Sequence, residues 1–220
     1  MRHPLHGSPT RLLDPMDRLS EVLFGLIMVL TFTSSMSVAS AGRDDVRAML
    51  REALGCNLAW GIVDAVMYVL TTFLARARAL ATLQAVRAAR DDAEAHRAIA
   101  AALPPLVASV MRAADLEAVR HGLVALPAPP RRASITRRDL RGATEVFLLV
   151  VLSTFPVAVP FLLVAHPLLA LRLSNAVAVG LLFAGGWSLG RYSGVPPARV
   201  GTAMAGVGAV LTAVTIVLGG

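Results

Sequence analysis

A chain of 220 residues that is 56% hydrophobic, with a mean hydropathy of +0.67, is too apolar for a soluble domain of this size and marks an integral membrane protein. All 21 basic residues are arginine, a usage that points to a GC-rich coding genome, and the net charge of +7 is read through membrane topology rather than nucleic-acid binding. One cysteine, Cys56, excludes an intrachain disulfide and a Cys-based zinc cluster within one chain.

In chain order, Met1 to Ser20 has no apolar core and no small-residue cleavage site, so no cleavable signal peptide is expected and residues 1–20 read as a tail. The first expected span is Val22 to Gly42. Its second half carries Thr31, Thr33, Ser34, Ser35, Ser37 and Ser40, hydroxyls that in lipid bond back to their own backbone or reach another helix. Met28 and Met36 are either soft metal ligands or simple space-fillers.

The second expected span, Ala53 to Ala75, has an aspartate at its centre. Its 23 residues rise roughly 34 Å as a helix, enough to cross a ~30 Å hydrocarbon core, which puts Asp64 near the bilayer midplane. A carboxylate at that depth costs about 2.5–3.5 kcal/mol on insertion scales, so it is expected to face protein or water. Asn57, Tyr68 and Thr71 fall on the same helical stripe, with Trp60 and Met67 beside it. Two roles suit Asp64: a hydrogen bond joining two helices, or a station on a cation or proton path.

Helix formers continue from Arg76 to Leu103 with no Gly or Pro, predicting one helix that ends at Pro104-Pro105. A second helix is expected from Leu106 to Val124, before Pro127, Pro129 and Pro130. The stretch 76–141 is then a helical module, longer than a connector needs to be. Asp92 and His96 are four residues apart, as are Glu117 and His121, so each pair shares a helix face. A hairpin closing at the Pro-Pro pair sets Asp92 opposite Glu117. Carboxylate and imidazole from two helices suit Mn²⁺, Fe²⁺ or Zn²⁺; the alternative is a solvated face paired with arginines.

The remaining expected spans are Val146 to Val164, Leu168 to Gly190 and Val200 to Gly220. Pro156 and Pro160 bend the third, and Arg172 snorkels at one end of the fourth. Gly180, Ala184 and Ser188, then Gly201, Ala205 and Ala209, form small-residue stripes that permit close helix contact. Residues 76–141 hold twelve Arg against six acids, and with Arg2, Arg11, Arg18, Arg191 and Arg199 they place the tail and module in the cytoplasm and the C-terminus outside. Glu21 and Glu145 then stand at the cytoplasmic mouth.

The expected architecture is therefore an all-α polytopic membrane protein with five transmembrane helices and a cytoplasmic helical insert between the second and third. Its parts are a tail at 1–20, spans one and two within 21–75, the module at 76–141, and spans three to five within 142–220. No nucleotide loop, Ser-His-Asp set or metalloprotease motif is present in the sequence, so an enzyme is not expected.

This layout, with Phe24-Gly25-Leu26, Pro156-x-x-x-Pro160, Leu189-Gly190-Arg191-Tyr192 and the stretch from Gly206 to Gly220, resembles the vacuolar iron transporter family over nearly all the chain after residue 20. The resemblance implies a homodimer that exports Fe²⁺ or Mn²⁺ from the cytoplasm, in some members against protons, along a path between the subunits. It implies a divergent bacterial member in the cytoplasmic membrane. Where the family opens its first span with Asp-Gly, this chain reads Phe24-Gly25, and Asp64 is the candidate to supply the acid. The candidate metal residues are Asp64, Asn57, Tyr68, Met67, Glu21 and Glu145 in the spans, and Asp92, His96, Glu117 and His121 in the module. The metal is cargo, and no resident cofactor is expected. The rival is a non-transporting membrane scaffold or regulatory protein whose basic module binds lipid or a partner.

Overall fold

The structure, a computed structural model, describes residues 15–34, 43–127, 130 and 132–219. Among these residues the chain is 87% helical with no strand. The helices are α1 (Pro15–Ser34), α2 (Arg43–Ala88), α3 (Asp92–Ala102), α4 (Pro105–Val110), α5 (Ala113–Val124), α6 (Arg137–Ser153), α7 (Phe155–Leu163), α8 (Pro167–Ser193) and α9 (Pro197–Gly219). Among the described residues four stretches are long and apolar enough to cross a membrane: Leu50–Ala88, Arg137–Leu163, Pro167–Ser193 and Pro197–Thr215. Ser35, Met36, Ser37 and Ser40, in the second half of the expected first span, lie outside the described residues.

The chain divides into two compact units, Met1–Tyr68 with Arg138–Gly220, and Val69–Arg137. In the first, α8 and α9 form an antiparallel pair. Gly194, in the left-handed conformation at φ 73°, caps α8 and lets the chain reverse. Close approach of the two helices rests on Gly186, whose missing Cβ would lie 2.8 Å from the Val200 carbonyl oxygen, and on Gly190, where it would lie 2.7 Å from Pro197 Cα. The stripe expected to do this on α8 does not: Gly180 has open space beside it and Ala184 is exposed. Both stripes have small residues at four-residue spacing, but Leu182 lies on the Gly186 side, and burying it turns that side inward. On α9 the close positions include Gly201, against Phe183 of α8, and Gly208, against Leu182.

Helix α1 packs on α7, α8 and α9. Leu23, Leu26, Val29 and Leu30 meet Val157, Ala178 and Leu182 in the main apolar core of this unit. The first-span hydroxyls divide between the two expected behaviours. Thr31 donates back to the Ile27 carbonyl at 2.8 Å, while buried Thr33 bonds the Leu30 carbonyl at 3.2 Å and reaches Asn175 of α8 at 3.5 Å.

The prolines do more than bend the third span. Pro156 has no N–H for the Leu152 carbonyl, and the helix breaks into α6 and α7 around Thr154. The Ser174 hydroxyl donates to the Val157 carbonyl at 2.7 Å and ties α8 to α7 just past the break.

The second unit differs from its expectation in two places. The run from Arg76 is not one helix to Leu103: α2 ends at Ala88, and Asp91 starts α3 by accepting from the Glu94 N–H at 2.7 Å while Glu94 accepts from the Arg90 N–H at 2.9 Å. Those bonds satisfy N–H groups that a new helix start leaves open, and they outcompete the propensity of the alanines to continue. The expected helix from Leu106 to Val124 is likewise cut at Met111 and Arg112, where Asp115 takes the Arg112 N–H at 3.0 Å and the Arg112 Nε at 3.1 Å. The stop at Pro104-Pro105 falls between α3 and α4. Val86, Ala95 and Ile99 form the small core here, with Leu103, Leu116 and Leu123 packed on it. Arg87 gathers the carbonyls of Leu123, Val124, Leu126 and Pro127 and so closes the open end of α5.

Candidate carboxylate site

In the first unit three helices are in register around the acids. The ring of Phe24 on α1 meets Trp60 on α2 edge-to-face, with centroids 5.8 Å apart, and the Asn57 amide donates to the Gly25 carbonyl at 3.5 Å, so α1 and α2 run antiparallel. Arg18 on α1 pairs with Glu145 on α6, and Gly25 lies against Val150 and Ser153, so α1 and α6 run parallel. Gly61 of α2 sits against Phe147 and Val151, and the Tyr68 ring covers Gly142. These three registers bring Glu21, Asp64 and Glu145 to one level.

Sequence reasoning had set Asp64 at the midplane and Glu21 and Glu145 at a mouth. The structure brings Glu21 and Asp64 within electrostatic range of each other, while Glu145 pairs with Arg18. Glu21 lies within electrostatic range of both Asp64 and Asp17. The Asp64 Oδ2 is buried with no hydrogen-bond partner. Glu145 differs from both, since the Arg18 guanidinium compensates its charge. Glu21 and Asp64 are thus like charges on adjacent helices, the arrangement that a cation or a shared proton relieves.

Asn57 lies below this level and is 1% exposed. Its amide nitrogen donates to the Thr154 hydroxyl as well as to Gly25, while its Oδ1 is buried with no hydrogen-bond partner. Its partner Thr154 occupies the break between α6 and α7. Tyr68 shields Gly142, and Met67 is 51% exposed. Sequence reasoning missed Asp17, Arg18 and Thr154, whose parts depend on which helices meet. The Asp17-Arg18 pair just before a span was the available signal.

In the second unit, Glu117 is the hub. It accepts from His96 at 2.9 Å, pairs with His121 at 3.0 Å, and holds Arg120 by contacts of 2.6 to 3.1 Å. Asp92 reaches the Nη2 of the same guanidinium at 3.5 Å. The expected facing pair is shifted by one turn: His96, not Asp92, is opposite Glu117, because the separate α4 lengthens the connection. Arg120 and the hydrogen bond from His96 hold the Glu117 carboxyl well below its ordinary value, at about 2. The four predicted ligands therefore come together around a guanidinium. Among the described residues no group of three or more His, Cys, Asp or Glu is placed to hold a metal ion.

No protein-family model matches the chain, and no curated protein matches it.

Proposed function

We propose that the chain is a membrane transporter that exports a divalent transition metal, Fe²⁺ or Mn²⁺, from the cytoplasm, with Glu21 and Asp64 as its cation site. The observation that carries this is the pair of acids on α1 and α2, of which Asp64 keeps a buried oxygen without a hydrogen bond. Carboxylate oxygen suits hard and borderline divalent ions. Two acids do not fill an octahedral shell, and water and the facing subunit of a homodimer supply the rest. Five spans, with the module inside and the C-terminus outside, accompany this proposal, as does proton antiport through the same carboxylates.

The test is metal accumulation in cells with and without the protein, across Fe, Mn, Co and Zn. Expression should lower cellular Fe or Mn. Asp64→Asn keeps the size and much of the hydrogen bonding but removes the charge, and it should cut flux by about tenfold or more, equivalent to about 1.4 kcal/mol. If Asp64 only joins helices, Asn serves nearly as well, since such bonds are worth about 0.6 kcal/mol in membranes. Equal flux at matched expression rejects the site, and unchanged metal content with the parent chain rejects the transport.

A further inference from the structure

Among the described residues of the second unit, helix α4 is the one helix whose apolar side chains point away from its core. Leu106 is 79% exposed, Val110 72% and Val107 42%, and no residue of α4 is buried. Positions 106, 107 and 110 share a helix face. The sequence of α4, Pro-Leu-Val-Ala-Ser-Val, has one polar side chain, and that hydroxyl is already satisfied: Ser109 donates to the Leu106 carbonyl at 2.8 Å. The side chains of this face offer nothing to water, while the open backbone N–H and C=O groups of so short a helix need the polar partners that a headgroup region supplies.

We propose that α4 inserts its Leu106, Val107 and Val110 face into the interfacial region of an anionic lipid leaflet. Two observations choose lipid over a second copy of this chain. The stretch 76–141 carries twelve arginines against six acids, and Arg78, Arg90 and Arg97 of this unit are exposed, so two copies repel where phosphate headgroups attract. The chain also enters and leaves this unit through stretches apolar enough to cross a membrane, Leu50–Ala88 and Arg137–Leu163, which tethers it to a bilayer at both ends. Six residues bind a surface weakly when free, but a tether replaces the entropy of encounter with a high effective concentration. The anchoring does not depend on what, if anything, the chain transports.

The test uses the full-length chain in vesicles of phosphatidylcholine with or without phosphatidylglycerol. Leu106→Trp is made with Trp60 and Trp187 replaced by Phe, and emission is read with plain lipid and with lipid brominated on its acyl chains. Insertion predicts blue-shifted emission, quenched by the brominated chains more strongly when phosphatidylglycerol is present. Val110→Trp reads the same face and must agree. Water-like emission in both vesicles overturns the proposal. So does a blue shift that bromine does not quench, which means that protein covers the helix, and so does equal quenching in both lipids, which removes the role of anionic charge.

Discussion

Glu117 shows how a residue chosen for one chemistry is held by another. Asp92, His96, Glu117 and His121 are near one another as their spacing suggested, but Arg120 stands among them and already neutralises the carboxylates. The Glu117 carboxyl, at about 2 in the folded chain against an ordinary 4.5, is depressed first by Arg120 and then by His96. A depressed acid stabilises the fold above its unfolded value and loses that contribution as the pH falls toward the folded one. Amide protection factors across α3 and α5, taken relative to intrinsic exchange at each pH, should therefore fall between pH 4.5 and about 2 in the parent chain, and Glu117→Gln should show low protection already at pH 6 with little further loss on acidification. A parent and variant with superimposable pH profiles would remove Glu117 from the contacts that hold this unit. Metal affinity is a separate measurement: Mn²⁺ or Fe²⁺ titrated against the full chain should bind more tightly in Arg120→Gln than in the parent if the four side chains can act as ligands, because the competing cation is gone.

At the scale of elements, glycine positions decide which helix faces meet. A Cβ at Gly186 would stand 2.7 Å from Met204 Cγ as well as 2.8 Å from the Val200 carbonyl, and a backbone atom cannot swing away as a side chain does. Gly186→Ala should therefore cost about 1–3 kcal/mol by forcing α8 and α9 apart. Gly180→Ala, on the open side of the same helix, should be neutral or stabilising by up to about 1 kcal/mol, since it removes glycine's backbone entropy without a clash. Thermal unfolding in mild detergent separates the two. Equal midpoints would mean that the glycine contact is not what sets the distance between these helices. The broken third span follows a comparable rule, with the missing Pro156 N–H giving the direction and the Asn57–Thr154 bond fixing the break against α2.

For the whole molecule, two expected outcomes concern the membrane and the assembly. A reporter fused after Gly220 should read external and one inserted near Pro129 should read cytoplasmic, because arginine concentrates in 76–141 and in the connection holding Arg191 and Arg199. The reverse pattern would invert the topology, and with it the direction of the transport proposed above. The chain should also run at twice its 23.1 kDa mass in mild detergent. Its α2 leaves Leu54, Leu58, Ile62, Val66 and Leu70 exposed over four turns, a face long enough for another copy. A monomeric mass at micromolar concentration with flux retained would count against a path between subunits.

Composition and hydropathy were enough to expect helices long and apolar enough to cross a membrane, which the described residues show, since about twenty apolar residues in a row satisfy their backbone in lipid as a helix. Local chemistry also marked the stop at Pro104-Pro105, a bend at Pro156 that the structure turns into a full break, and the presence of Asp64 as an isolated acid in an apolar run. The break at Asp91 was readable too, in the Asp-x-x-Glu pattern of a helix start, but the alanine-rich propensity on both sides hid it. Tertiary structure alone decided the partners. The meeting of Glu21 with Asp64, the Arg18–Glu145 pair and the choice of Gly186 over Gly180 all depend on which face of each helix turns toward which neighbour. A helix that is apolar nearly all round carries no amphipathic stripe to announce that choice, so it is set by the close contacts of glycine, ring and amide that only packing creates.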